Sequence, residues 1–470
     1  MIKFGTGGWR AFIGEDFTKE NVQILSQALA TLMKNQKCDG SGFVVGYDNR
    51  FLSDKAAKWV SEVMAGNGIK VSFVEKSAPT PLIMFTVNSL DAYYGAAITA
   101  SHNPADYNGL KIFTRGGRDA SEDVTRNLEE IINNITIEDV VLLSFDSGIA
   151  EGLIEIIDPF NEFIDSIISM IDIESIKNSK LKVVLDPMFG VSKTCLQTIL
   201  LTARCEVEII NNRHDTLFGG RLPSPSTHTL HRLKDLVVEK GYDIGIGTDG
   251  DADRLGIIDE KGNFIHPNDI LSVLYYYLLK YKGWKGGVVR NLATTHLLDK
   301  IAAGFGEQCY EVPVGFKNIS SKMEEKNALI GGESSGGLTI RGHIKGKDGI
   351  FAASLLIELL SVTGKSLSEL LEEIHKQYGY FYMTESDYKF SIEVKDQLMT
   401  KLFVDKLIPN FGYEVEKTSY EDGVKVYFKN GGWIIARFSG TEPLLRIFSE
   451  MENEARASEI SNTMKEFLNL

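Results

Sequence analysis

Apolar positions along this chain alternate between two periods. Val22, Leu25, Leu29 and Leu32 recur at three- and four-residue intervals, as on the buried face of a helix. Phe43-Val44-Val45-Gly46-Tyr47 reads instead as a strand, a helix is predicted near 53–67, and Val71–Val74 is a second strand. The small and apolar run Tyr93–Ile98 predicts a short buried strand, with Leu110–Phe113 as the next one. Strands alternating with helices form a βαβ series, which implies a mostly parallel sheet covered by helices. Two further stretches alternate in the same way. One has strands at Leu181–Asp186, Val207–Ile210 and Tyr242–Ile246 with a helix over 226–240. The other has a helix over 268–281, a strand at Gly287–Arg290 and a helix near 294–303. Later the spacing tightens: Val424–Phe428, Trp433–Arg437 and Leu444–Phe448 are close-set strands that suggest an antiparallel sheet, and a helix is predicted near 454–467.

At 470 residues the chain exceeds one ordinary core. The expected division is an α/β domain over 1–154, a second over 155–256, a third over 257–372, and a smaller α+β domain over 373–470. A net charge of −14 argues against nucleic acid as a partner, because a phosphate backbone needs a basic surface. It leaves room for a small anionic substrate held by a local cluster of Arg and Lys. Cys38, Cys195, Cys205 and Cys309 show no CxxC spacing, so neither a disulfide framework nor a zinc site is expected. There is no apolar N-terminal signal segment and no apolar run of membrane-spanning length, so no membrane partner is expected and the cytoplasm is the expected location.

The chemistry is concentrated in loops. In Thr99-Ala100-Ser101-His102-Asn103-Pro104, Pro104 ends the regular structure, so Ser101 sits on a tight loop at a strand's C-terminal end. Its hydroxyl is placed to be a nucleophile, a phosphate carrier or a turn residue. Asp249, Asp251 and Asp253 alternate, which sets three hard oxygen ligands on one side of the backbone. Such a cluster is costly without a cation, and Mg2+ fits it. An EF-hand is excluded, since Arg254 stands where that loop needs Gly and the flanks read as strands. Glu333 and Ser335 lie in a Gly-rich loop, where a carboxylate and a hydroxyl can grip vicinal sugar hydroxyls. Arg437-Phe438-Ser439-Gly440-Thr441-Glu442-Pro443 combines a guanidinium fork with hydroxyl and amide donors, a phosphate cradle without a Walker motif. The one Gly-Lys-Ser, Gly364–Ser366, reads as a helix end. Gly5–Arg10 reads as a flexible loop ending in a cation.

As a set, in order and spacing along the whole chain, these five loops resemble those of the α-D-phosphohexomutases, the phosphoglucomutase and phosphomannomutase family. The resemblance implies three related α/β domains with mixed, mostly parallel sheets, plus a smaller C-terminal α+β domain, around a central cleft. It implies that Ser101 carries a phosphoryl group and that Ser101, Asp249, Asp251 and Asp253 hold Mg2+. Glu333 and Ser335 match the family's sugar-binding loop. Arg437, Ser439, Gly440 and Thr441 match its loop for the distal phosphate. Arg10, His102, Lys111, Arg254 and Lys317 match further active-site positions. The implied reaction interconverts hexose 1-phosphate and hexose 6-phosphate through a hexose 1,6-bisphosphate. Bacterial phosphoglucomutases are the most similar members, so glucose is the expected sugar. Mannose or glucosamine specificity, a Mg2+-dependent sugar phosphatase and a non-catalytic sugar-phosphate-binding protein are the alternatives. Two positions depart from the family pattern: Gly7 replaces a commonly polar residue, and Gly337 stands where many relatives have a catalytic His. Lys111, His102 and His343 are then the candidates for acid–base work. Lys111 comes first, on the expectation that a lysine desolvated among cations has a lowered pKa. His343 is expected to reach back into the substrate site from a short hairpin.

Overall fold

A computed structural model describes residues 2–5, 7–438 and 444–470. By compactness the chain divides into two units, one of residues 1–270 with 335–368 and one of 271–334 with 369–470. Its architecture is three α/β/α domains with mixed sheets and a C-terminal domain.

In the first unit, one sheet runs in the order Phe4–Gly5, Gly8–Phe12, Tyr107–Thr114, Tyr94–Ile98, Phe43–Tyr47, Val71–Val74, Ile154–Ile157. The last four strands are parallel, and each of the first three pairs antiparallel with the strand next to it. Gly5 and Gly8–Arg10, expected in a flexible loop, therefore belong to paired antiparallel strands. Arg10 pairs with Gly109, and Trp9 is buried and stacked on Phe17, which anchors the segment. The second sheet repeats the plan in the order Glu206–Ile209, Lys182–Asp186, Ile244–Thr248, Leu255–Ile258, Phe264–Ile265, changing from parallel to antiparallel after Ile244–Thr248. The helix predicted over 226–240 begins only at His231, because Ser226 and Thr229 bond one another's backbone in a turn. Residues 154 and 256, the expected domain limits, fall inside strands of these two sheets.

Helix Gly349–Thr363 supplies much of this unit's core. It is apolar almost all round, and Ile350, Phe351, Leu355, Leu356, Leu359 and Leu360 are buried, each contributing roughly 1.5–3 kcal/mol. Asp348 caps its N-terminus by accepting from the Ile350 and Phe351 amides at 2.7 and 3.0 Å, and Gly364 ends it in the left-handed region. No single described helix is long and apolar enough to cross a membrane.

In the second unit, strands Cys309–Val312, Val288–Asn291 and Ile330–Gly332 are parallel. A wholly antiparallel five-stranded sheet runs in the order Tyr382–Lys389, Leu444–Met451, Trp433–Phe438, Val424–Phe428, Val415–Ser419. Its core of Val426, Ile434, Ile447 and neighbours is closed by helix Glu454–Leu468.

Candidate functional site

Ser101 follows the Tyr94–Ile98 strand, where the chain turns back into Tyr107–Thr114. Its φ is +54°, a left-handed conformation that costs a non-glycine residue energy and needs support from its surroundings. Arg50 gives that support. Its buried guanidinium donates to the carbonyls of Ser101, Asn103 and Pro104, each at 2.7 Å, and to that of Tyr107 at 3.0 Å, while its Nε lies 3.4 Å from Asp48. Asp48 in turn accepts from Thr99 Oγ1 at 2.6 Å, and Thr99 Oγ1 accepts from the Ser101 amide at 2.8 Å. The sequence reading passed over Arg50. Its place just beyond the Phe43–Tyr47 strand, where open α/β sheets gather ligand groups, is the signal that could have found it.

The Ser101 hydroxyl donates to Asp249 Oδ2 at 2.8 Å. Gly250 must be glycine, because a Cβ there would lie 2.7 Å from the Ser101 carbonyl oxygen. Asp249, Asp251 and Asp253 are all buried, with ligand oxygens within 4.8 Å of one another. Lys111 Nζ lies 2.6 Å from both Asp251 Oδ2 and Asp253 Oδ2, and Thr80 Oγ1 donates to Asp251 Oδ2 at 2.6 Å. Asp251 Oδ1 and Asp253 Oδ1 are buried with no hydrogen-bond partner. Two orphaned carboxylate oxygens beside a third carboxylate and a serine hydroxyl form a donor set that fits a hard divalent cation.

The cluster's electrostatics correct one expectation. Burial alone would depress the Lys111 ammonium, but Asp251 and Asp253 outweigh it and hold Lys111 above its ordinary range. Lys111 is surrounded by carboxylates, not cations, so it is kept protonated. Burial, then Asp251 and Asp253, push Asp249 well above the carboxylate range. For Asp253 burial is the largest single influence and acts upward, but Lys111, Lys347 and Arg254 together hold it below that range. Arg254 lies 3.8 Å from Asp253 Oδ1, and Arg10 donates to Asn103 Oδ1 at 2.8 Å. Arg254, then burial, then Arg10 press His102 well below its ordinary value, with its Nδ1 3.4 Å from Ser101 Oγ.

A second correction concerns His343. Its side chain is 3 % exposed, its Nε2 donates to Asp348 Oδ2 at 2.7 Å, and its ring stacks on Phe351 at 4.5 Å. It braces the helix cap and has no Nε2 proton to spare for a substrate. Lys347, which the sequence reading did not single out, supplies what Gly337 lacks. A Cβ at Gly337 would lie 2.2 Å from Lys347 Cδ, so the lysine stem fills the space of a side chain there, and its Nζ lies 3.2 Å from Asp253 Oδ2. A cation between two glycines, Gly346 and Gly349 lying close by, was the available signal. Ser335 is exposed in the same unit.

In the second unit, Glu333 is buried and its Oε1 accepts from Asn291 Nδ2 at 3.0 Å and the Gly315 amide at 3.1 Å. Gly315 precedes helix Phe316–Lys326, whose first turn carries the half-buried Lys317. Arg437 is in the last turn of pairing of strand Trp433–Phe438, and its Nε donates to Asp422 Oδ1 at 2.8 Å. Ser439, Gly440 and Thr441 lie outside the described residues.

Models of phosphoglucomutase/phosphomannomutase domains match the chain along its length: alpha/beta/alpha domain I at residues 1–139, domain II at 161–262, domain III at 266–378 and the C-terminal domain at 399–466. A phosphoglucomutase/phosphomannomutase of Thermococcus kodakarensis is 32% identical over 458 residues, 97% of this chain and 96% of that one. A phosphoglucosamine/phosphogalactosamine mutase of Sulfurisphaera tokodaii is 29% identical over 468 residues, 99% and 98% of the two chains. The fold matches the crystal structure of a phosphoglucomutase/phosphomannomutase family protein from Burkholderia thailandensis with a TM-score of 0.84 at 22% identity, covering 100% of this chain and 98% of that one.

Proposed function

This chain belongs to the phosphoglucomutase/phosphomannomutase family, whose members are isomerases of phosphosugars, and from that premise we propose that it interconverts hexose 1-phosphate and hexose 6-phosphate through a phosphoryl group carried on Ser101. The observation that carries the proposal is the buried Ser101 hydroxyl, 2.8 Å from Asp249, inside a cluster of carboxylates with orphaned oxygens.

Phosphoryl transfer depends on positioning and charge neutralisation more than on covalent chemistry by the protein. In the first half-reaction the bond between Ser101 Oγ and phosphorus breaks as a bond from a sugar hydroxyl oxygen to phosphorus forms; the proton of that hydroxyl ends on Ser101 Oγ, and a hexose 1,6-bisphosphate results. After the bisphosphate turns around, the reverse transfer returns its other phosphoryl group to Ser101. Asp249, Asp251 and Asp253 would hold Mg2+, with Ser101 completing the set. When bound, that ion neutralises the charge on the transferring group. Lys111 holds Asp251 and Asp253 in register as a fixed cation. Arg10, Arg254 and Lys347 keep the surroundings positive for phosphate, and His102, held neutral, lies beside Ser101 Oγ. Arg437, with Ser439, Gly440 and Thr441, holds whichever phosphate is not reacting. Glu333, Ser335 and Lys317 bind the sugar.

Glucose is the proposed substrate. The Sulfurisphaera relative's name favours a second reading, an amino sugar. One experiment tests both. The protein is incubated with Mg2+, a bisphosphate primer and, in turn, the 1-phosphates of glucose, mannose and glucosamine, and 6-phosphates are separated from free phosphate. A mutase yields the 6-phosphate, and the fastest sugar fixes the specificity. Free phosphate as the main product overturns the mutase in favour of a phosphatase, and no product from any sugar favours a silent binding protein. Ser101→Ala is expected to abolish isomerisation and to remove the phosphoryl mass from the intact protein. Full activity in that variant overturns the scheme.

A further inference from the structure

The sequence marks Glu333 and Arg437 as belonging to separate loops, about a hundred residues apart. In the second unit a short chain of hydrogen bonds joins them. Arg437 Nε donates to Asp422 Oδ1 at 2.8 Å, and Asp422 Oδ2 accepts from the Val314 amide at 2.8 Å. The next amide, that of Gly315, donates to Glu333 Oε1 at 3.1 Å, and Asn291 Nδ2 donates to the same oxygen at 3.0 Å. Asp422 reaches both partners because Val424 pairs opposite Ala436, which sets the turn before Val424 alongside Arg437. Both side chains of the ion pair are largely buried, at 18% exposure for Arg437 and 23% for Asp422. A charge-assisted bond in that setting fixes a guanidinium plane more firmly than a surface pair does. The contact is made through Nε, so it sets the direction of the Arg437 fork and takes neither Nη group.

We infer that Asp422 is a positioning residue, which orients Arg437 for the phosphate that is not reacting and ties that cradle, through Val314 and Gly315, to the sugar-binding carboxylate Glu333. The inference rests on the reading of Arg437 as a phosphate ligand. A substrate that must bind in two orientations puts the same demand on both loops each time, and a cradle joined to the sugar loop meets it without re-forming either one. Asp422 touches no substrate and acts only through Arg437 and the 313–315 segment.

The test is calorimetric titration of hexose 1-phosphate into full-length protein carrying Ser101→Ala, so that no turnover occurs. Arg437→Met, Asp422→Asn and the double variant are compared in that background. Asp422→Asn keeps the shape and an oxygen for the Val314 amide but loses the charge facing Arg437. Both single variants are expected to weaken binding roughly tenfold or more, with the double variant no weaker than Arg437→Met alone and thermal midpoints unchanged. If Arg437→Met weakens binding while Asp422→Asn does not, or if the two losses multiply in the double variant, the positioning role is overturned and the phosphate cradle stands. If Arg437→Met leaves affinity unchanged, the cradle itself is overturned, and this inference with it. Should Asp422→Asn lower the thermal midpoint, Asp422→Ser is put through the same cycle, and non-additivity with Arg437→Met remains the criterion.

Discussion

Two buried ion clusters in this protein have nearly the same ingredients and opposite characters. In the first unit Lys111 lies between Asp251 and Asp253; in the second Lys425 lies 2.7 Å from Glu311, which also meets Arg290 at 2.5 Å. Around Lys425 the oxygens of Glu311 and Asp299 are used up, while in neighbouring Glu450 Oε1 is occupied and Oε2 accepts nothing. Glu311 Oε2 takes Lys425 and Arg290, its Oε1 takes the Tyr427 hydroxyl, and both oxygens of Asp299 take Arg290. Burial, followed by Arg290, brings Lys425 down to about 7, although Glu311 pulls the other way. Around Lys111 three carboxylates converge, and two of their oxygens accept no hydrogen bond. A single unpaired oxygen beside buried cations makes no ligand set, whereas two from neighbouring carboxylates, beside a third carboxylate and a serine hydroxyl, leave room for a cation. Composition does not separate them; the grouping of the unmatched atoms does.

The sharpest way to break this comparison is to remove each lysine. Lys111→Met is expected to cut turnover by roughly 10²-fold or more, the scale of losing a positioned charged group in an active site. It leaves three carboxylates crowded together, and a loss of about 3–5 kcal/mol in urea unfolding is expected. Added Mg2+ should then raise the variant's unfolding midpoint more than the wild type's, because a divalent ion supplies the missing charge. No shift in either protein would mean that the cluster takes no cation, and equal shifts that Lys111 does not compete with it.

Lys425→Met is expected to cost less, about 2–3 kcal/mol, because burial has already cancelled part of this lysine's charge at neutral pH. Mg2+ should restore none of it, and turnover per folded molecule should stay within a few-fold of wild type. A Mg2+-dependent recovery here would erase the distinction between the clusters.

The smallest effect is expected at His296, whose Nε2 lies 3.2 Å from Lys425 Nζ. Burial, then Arg290, lower it to about 3. Between pH 6.5 and 3 the unfolded chain therefore binds a proton there that the folded chain refuses, so folding stability falls as pH drops through that window. From pH 6.5 to 5.0 this residue should account for about 1.5 kcal/mol of lost stability. Urea unfolding of wild type and His296→Gln at the two pH values measures it, and an equal loss in both would remove His296 from the account.

Much of this molecule can be read from its sequence because the deciding forces are local. Apolar periodicity sets Phe43–Tyr47, Val71–Val74 and helix Lys19–Asn35, and the alternation of carboxylates at 249, 251 and 253 announces a cation loop before any fold is known. Gly364 ends its helix for a reason carried by one residue. Other features depend on what lies opposite. Gly5–Arg10 looks like a loose terminus until the Tyr107–Thr114 strand gives its backbone a partner and Phe17 covers Trp9. Lys111 is charged or not according to whether cations or carboxylates surround it, and those neighbours are 140 residues away. His343 is committed to Asp348 at 2.7 Å, and Lys347 fills the space that a side chain at Gly337 would take, because the turns between Ile340 and Gly349 fold back on themselves. The sequence by itself determined the elements and the chemical kinds of the loops, since both follow from residues close together along the chain. Tertiary structure alone decided which charges face each other and which oxygens are left unpaired, because Coulomb interactions and hydrogen bonds act between atoms near in space, wherever they fall in the sequence.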